Sequence, residues 1–411
     1  MIDNDIAVGA GRIDRPANVP DDRVIDFNLY QLSGNGQNFD EPWARLYEAG
    51  RDHLGLLWTP HNEGHWIAAN GKLVADVLSN AEYFSNRVTF VPKSTGEAHH
   101  MLPTNVDVPE HRNYRRLLNN GLSPRAVRNL HGTIREICGE LIETFIADGR
   151  CDFMTQYAAH LPIRAFMGLV QLPIADAPML KACSDAIVRA SDGTSYAATR
   201  KQLEDYLRPF IEARLGKDGD DMLSDIINGK IDGRALTWDE MFKFCIQILI
   251  GGLDTVINQL GFMFLFLARN PEHRRQLVEN PSLIPGAVEE IVRRYSIANT
   301  SREVRTDCEY AGVQLKRGDM VLAATPVVGF DEAFTDHARS VDFSRRSDFQ
   351  VGFGKGNHIC PGANLARAEL SITLEEWLKR IPDFSLANDD DLVFGGGVVI
   401  TVASLPLVWN T

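Results

Sequence analysis

Between Thr237 and Asn270 the chain holds one continuous run of helical periodicity, and no other feature constrains the fold so strongly. The run opens with Thr237-Trp238-Asp239-Glu240, a capping box in which the Thr237 hydroxyl and the Glu240 carboxylate each take a free amide. It ends at Asn270-Pro271, where proline stops it. About 33 residues rising ~1.5 Å each make a rod roughly 50 Å long, enough to cross a whole domain. The most lipid-like stretch, 241–268, carries Lys243, Gln247, Asp254, Asn258 and Gln259. A membrane span wants about 20 nearly uncharged residues, so this reads as the buried axis of a soluble protein. Gly251 and Gly252 interrupt the run near its midpoint, each less favourable than alanine by about 1 kcal/mol. They signal either close helix packing or a groove where something approaches the backbone, with Thr255 free to bond back to the Gly251 carbonyl.

Around this axis most other periodic segments are helical too: 41–50, 71–79, 109–120, 125–147, 155–170, 174–190, 196–215, 271–279, 284–296 and 363–380. Strand-like pieces are short. His65-Trp66-Ile67-Ala68 alternates, 303–325 reads as a hairpin around Ala311-Gly312 with a following strand, and 398–409 closes the chain. The fold class is therefore mainly α with a small β region, and no linker-like stretch divides 1–411 into more than one domain. A chain of 411 residues hides about three quarters of its extended surface, which leaves room for a large buried site. The 42 basic and 55 acidic residues leave a net charge of −13, which argues against general nucleic-acid binding. The opening Met1-Ile2-Asp3-Asn4-Asp5 is acidic and lacks the basic-then-apolar order of a secretory signal, so a cytoplasmic protein with no membrane attachment is expected.

Cysteines stand at 138, 151, 183, 245, 308 and 360, with no C-x-x-C spacing. Five of them read as small buried hydrophobes. Cys360 differs because of its neighbours, Phe353-Gly354-Lys355-Gly356-Asn357-His358-Ile359-Cys360-Pro361-Gly362, running into Ala363-Asn364-Leu365-Ala366-Arg367. Glycines on both sides of a cysteine, directly before a helix, describe a tight loop whose amides can point at the sulfur. Those donors and the helix N-terminus stabilise a thiolate, the form that binds metal. The phosphate-loop and dinucleotide signatures are absent, and zinc would want more ligands close by. A single thiolate in a glycine-rich loop suits haem iron.

The pattern F-x-x-G-x-x-x-C followed by G-x-x-L-A-R resembles the haem-ligand loop of the cytochromes P450. Glu290-Ile291-Val292-Arg293 looks like that family's E-x-x-R pair, with Arg345 as the third member of its buried network. Gly251-Gly252-Leu253-Asp254-Thr255 resembles the oxygen-activating stretch of the family's long central helix. The likeness is nearest to the bacterial camphor-hydroxylating branch and runs from Asn18-Val19-Pro20 to Leu405-Pro406-Leu407-Val408-Trp409. It implies a mostly helical triangular prism around a buried haem b, iron protoporphyrin IX, with Cys360 as the proximal ligand to the metal. Asp254 and Thr255 would be the catalytic pair, Thr255 holding activated oxygen with its water and Asp254 relaying protons from solvent. Lys181, Asp185 and Arg189 match charged positions that gate the relay. Arg115, Arg302 and His358 match partners of the haem propionates, and His111 falls where the branch has a glutamine donor. Thr300 replaces an acidic residue at one of those positions. Phe353, Gly251 and Gly252 belong to the same cofactor-binding set.

The resemblance also carries partners. Residues 111–130 hold five arginines and no Asp or Glu. Arg115 turns inward in this reading, while Arg112, Arg116, Arg125 and Arg128 form a docking patch for an acidic electron donor. No flavin, nicotinamide or ferredoxin-type signature appears, so electrons would come from a separate [2Fe–2S] ferredoxin and its NADH-dependent reductase. Where the camphor-hydroxylating branch has a tyrosine that donates to the substrate ketone, this chain has His99. The other matched pocket positions are Phe90, Met101, Gln247, Ile250, Ala298, Val398 and Val399. Gln247 stands where the branch is aliphatic, and Ala298 replaces a bulkier side chain. A mainly apolar pocket with one or two donors suits a norisoprenoid or monoterpenoid ketone, such as an ionone, rather than camphor. Two other classes use the same cysteine, a peroxide-driven peroxygenase and a non-catalytic haem-based ligand sensor. Neither requires the Asp254–Thr255 pair.

Overall fold

The computed structural model describes residues 11–32, 38–188, 193–346, 350–389 and 392–411; the opening Met1–Asp5 and Arg189 lie outside them. The capping box forms as read, with the Glu240 amide donating to Thr237 Oγ1 at 3.3 Å and the Thr237 amide donating to the Glu240 carboxylate at 2.8 Å. Among the helices that position the site, in chain order, are α1 (Pro124–Glu143), α2 (Leu161–Val170), α3 (Ala177–Val188), α4 (Trp238–Leu253), α5 (Thr255–Arg269), α6 (Ile284–Arg294) and α7 (Ala363–Arg380). The expected rod is thus two collinear helices that meet at Asp254, where φ −128° and ψ −42° step outside the helical ladder. Its 32 residues are apolar enough to span a bilayer, yet 78% of the apolar window is covered by the rest of the protein. A helix that is hydrophobic all round must be enclosed, and every residue of α5 from Val256 to Ala268 is buried.

Aromatic packing locks that axis to its neighbours. Phe264 of α5 stacks on Phe153 at 4.0 Å between centroids and meets Trp377 of α7 edge-on at 4.9 Å. Cys138 of α1 lies 4.0 Å from Thr373 of α7. One contiguous set of buried apolar side chains runs from Val19 to Leu407. Cys138, Cys151, Cys183 and Cys245 are buried within it, and Cys308 is half-buried.

The small β region has five strands at its centre: β1 (Leu56–Thr59), β2 (His65–Ala68), β3 (Phe84–Ser85), β4 (Thr300–Val304) and β5 (Met320–Ala323). They lie in the order β1-β2-β5-β4-β3, with only the β2–β5 pair parallel. Register places Arg302 opposite Val321, so this side chain is set by strands rather than by a loop. The hairpin expected around Ala311-Gly312 is present, joining Cys308–Tyr310 to Val313–Leu315 with φ +48° and +78° at the two turn residues. Two expected helices are broken. The stretch 109–120 divides at Leu117-Leu118, and 155–170 begins as a π turn, Met154–Ala158, before Pro162 opens α2.

Candidate active site

The cysteine loop is shaped by backbone that only glycine adopts easily. Gly354 and Gly356 have φ of +77° and +73°, and a Cβ on Gly356 would come within 2.8 Å of the Ser79 Cα. The Cys360 amide donates to the Phe353 carbonyl at 2.7 Å, and the Gly354 amide to the Val351 carbonyl at 2.7 Å, which closes the loop on itself. The Arg367 guanidinium covers the Phe353 ring at 4.5 Å and pairs with Glu289 of α6, tying the loop to two helices. Burial pushes the Cys360 thiol up. The amides of Gly362 and Ala363 and the guanidiniums of Arg115 and Arg367 pull against it, as expected of a sulfur poised to be a thiolate once a cation arrives. Cys360 is the most exposed cysteine, and its surface opens on an internal cavity rather than on bulk water.

That cavity has a volume of about 380 Å³. Phe353, Cys360 and the first turns of α7 form one wall, and the α4–α5 break forms another. Both readings of the double glycine are realised, one at each residue. A Cβ on Gly252 would lie 2.5 Å from the Phe166 ring of α2, so this glycine permits close helix packing. A Cβ on Gly251 would meet only Gln247 Nε2, at 3.8 Å, so this glycine opens the backbone to the cavity. The Thr255 hydroxyl donates to the Gly251 carbonyl at 3.2 Å, the back-bond expected to bend a helix. Asn258 holds the break from the other side, donating through Nδ2 to the Asp254 carbonyl at 3.0 Å while its Oδ1 accepts from the Val402 amide at 3.2 Å.

Asp254 is 3% exposed, so its carboxylate depends on charged partners. Lys181 of α3 supplies one, with Nζ 3.2 Å from Asp254 Oδ1 and 2.5 Å from Asp185 Oδ1. Lys181 and Asp185 are partly exposed, so the pair links a buried acid at the helix break to the outside. Two of the three charged positions that the resemblance assigns to the relay are thereby brought to Asp254.

A group of basic side chains converges on the same cavity, and among the described residues none of them is in an ion pair, although the charge of Asp107 reaches His111 and Arg302. The rings of His111 and His358 lie 3.9 Å apart. Burial, then the charges of His111, Arg302 and Arg115, hold His358 down at about 3; burial, then Arg115, holds His111 at about 4. Burial lowers Arg302 to about 10 and lowers Arg115 as well. Arg302 donates to Thr300 Oγ1 at 3.0 Å and to the Ser301 carbonyl at 2.8 Å, while its buried Nε and the Nε2 of His111 find no partner among the described residues. Arg115 donates to the Ile359 carbonyl at 2.6 Å, next to the cysteine. Buried nitrogens without partners and two guanidiniums in no ion pair among the described residues call for anions from outside the chain. A haem, with two carboxylates at its edge and an iron for the sulfur, matches this donor set.

The pocket expectations divide. Gln247 and Ala298 line the cavity, whereas Phe90, His99, Met101, Ile250, Val398 and Val399 do not. His99 is buried edge-on against Phe90 with centroids 5.2 Å apart, and burial holds its imidazole at about 4, hence neutral. Met101 is held by its amide on Asn105 Oδ1 at 2.9 Å, which turns Pro103 and Thr104 to the wall instead. Val398 and Val399 pair through the backbone with Asn299 and Ala298, and so support the wall without forming it. The cavity also takes in Thr104, Gln259 and Glu369, which sequence reading missed. Glu369 is a carboxyl on the buried side of α7, and burial raises it to about 8. Its only signal was an acidic residue at an apolar position of a helix.

The remaining expectations concern support and surface. Glu290 and Arg293 are 2% and 1% exposed and joined by bonds of 2.8 and 2.9 Å, and Arg345 Nε reaches Glu290 Oε1 at 2.8 Å. Arg293 also donates to the carbonyls of Ala338 and Ser340, so the pair pins a long loop onto α6. Arg112, Arg116, Arg125 and Arg128 are all exposed.

Comparison with known proteins agrees with this geometry. The family model for cytochrome P450 matches residues 169–391. The crystal structure of CYP101J2 superimposes with a TM-score of 0.90 at 43% identity, covering 97% of this chain and all of the other. That of CYP101C1 gives 0.88 at 35% identity with the same coverage. Cytochrome P450-terp of Pseudomonas sp is 30% identical over 374 residues, 82% of this chain and 87% of its own.

Proposed function

The chain belongs to the cytochrome P450 family of haem monooxygenases, and on that premise we propose that it hydroxylates a C–H bond of a small apolar terpenoid-like molecule. The substrate class is a norisoprenoid or monoterpenoid ketone, such as an ionone, rather than camphor. Electrons come from a [2Fe–2S] ferredoxin served by an NADH-dependent reductase. The observation that carries this reading is one cavity with the Cys360 sulfur on one wall and the Thr255 hydroxyl on another. When bound, the haem supplies oxygen activation, which a thiolate ligand promotes by electron donation. Cys360 would ligate the iron, while Arg115, Arg302, His358 and His111 would hold the propionates. Thr255, fixed by its bond to Gly251, presents its hydroxyl oxygen as an acceptor to the cavity. Asp254 would hand protons inward from the Lys181–Asp185 pair. The largely apolar lining keeps other water out, so a proton enters by that route rather than at random.

The chain acts in this reading as one domain, 1–411, in the cytoplasm. Its basic face, Arg112, Arg116, Arg125 and Arg128, would receive an acidic ferredoxin close to the Cys360 loop. The test is a titration of the ferric protein with β-ionone and with camphor, followed by turnover with ferredoxin and reductase. A spectral shift and a hydroxylated product from β-ionone are expected; a response to camphor alone overturns the substrate class. In Thr255→Ala, electron consumption should continue while product falls, and full coupling in that variant would refute the role given to the hydroxyl.

A further inference from the structure

One polar device in the cavity wall is not explained by holding a haem. Gln247 lies one helical turn before Gly251 and two before Thr255, on the face of α4 that the cavity exposes. Its Oε1 is taken, because Thr104 Oγ1 donates to it at 2.6 Å from a segment 143 residues away. Its Nε2 has no acceptor among the described residues and stands 3.8 Å from where a Gly251 Cβ would be. The Gly251 carbonyl, the acceptor exposed beside it, is already occupied by the Thr255 hydroxyl. The amide is therefore held at its acceptor end and turns its N–H donors toward the cavity, on the wall that also carries Thr255.

We propose that Gln247, oriented by Thr104, is the specificity-determining donor that selects substrates with a bare acceptor oxygen, a ketone or cyclic ether, over hydrocarbons of the same shape. The role the sequence assigned to His99 thus passes to Gln247. The reasoning is one of unpaired groups. A hydrocarbon that displaces water from the cavity leaves the Nε2 hydrogens buried without a partner, whereas a carbonyl oxygen replaces what the water supplied. Binding the oxygen at Gln247 lays the carbon frame along the Gly251 opening, toward Thr255. This inference rests on the terpenoid-ketone reading above and names the residue that enforces it.

The test compares two matched pairs, β-ionone with the hydrocarbon carrying CH2 in place of its carbonyl and menthone with p-menthane, by spectral titration of ferric holoenzyme. Wild type, Gln247→Leu and Thr104→Val are compared through the ratio of ketone to hydrocarbon Kd, which cancels general changes in the pocket. Gln247→Leu should shift that ratio against the ketone by roughly tenfold, about the worth of one neutral hydrogen bond. Thr104→Val leaves the amide in place but unclamped, so it should shift the ratio the same way by a smaller factor. It also keeps the test decisive if Gln247→Leu fails to take up haem. Ratios unchanged within twofold in both variants overturn the proposal while leaving the terpenoid reading intact. Spectral silence of all four compounds with the wild type overturns both.

Discussion

Cys360 is presented by ten consecutive residues and the helix that follows them, whereas the wall containing Thr255 and Gln247 also draws on segments near 86–104 and 297–302. The sulfur is placed by backbone: two left-handed glycines, two short loop bonds and the start of α7. The facing wall is placed by side chains reaching across the fold, Thr104 to Gln247, Lys181 to Asp254 and Asn258 to Val402. A contiguous, backbone-built feature changes little when its surroundings change. A distributed one can be retuned by single substitutions.

The two regions should respond differently to substitution. Cys360→Ala removes the only cysteine among the described residues that line the cavity, so the carbon monoxide spectrum of a thiolate-ligated haem and all monooxygenase turnover should vanish. No substitution at Gln247 should do this. Arg293→Ala leaves Glu290 buried with Arg345 alone and frees two carbonyls of the pinned loop, so stability should fall by about 3–5 kcal/mol in denaturant titrations. The glycine pair gives the sharpest contrast. Gly252→Ala drives a methyl into Phe166 and should destabilise by about 1–3 kcal/mol. Gly251→Ala meets open space and should gain up to about 1 kcal/mol from helix propensity, while weakening ketone binding beside Gln247.

Acidity separates the two regions as well, through a pH dependence of stability. Burial raises Glu369 to about 8, so the native state holds a proton that the unfolded chain releases near 4.5. Stability from this group is full below about pH 4.5 and declines as pH rises toward 8, by at most about 1.4 kcal/mol per pH unit. Glu369→Gln should remove that slope and leave the rest of the pH profile in place, as followed by unfolding midpoints between pH 5 and 8.

Much of the molecule was legible in advance because its signals are local. The capping box, the stop at Pro271, the Ala311-Gly312 turn and the glycines around Cys360 each act within a few residues, where backbone preference and short hydrogen bonds dominate. The Glu290–Arg293 pair was readable for the same reason, being one helical turn apart. The wall facing the sulfur was not. His99 sits within the segment expected to reach the cavity, but the Asn105 clamp on Met101 turns Thr104 to the wall and leaves His99 edge-on against Phe90. The meaning of the double glycine was equally undecided along the chain, since Phe166 and the cavity are both remote from it. Which side chain faces an internal space depends on the packing of segments as far apart as Thr104 and Gln247, 143 residues from each other, and no periodicity or spacing within one segment encodes that.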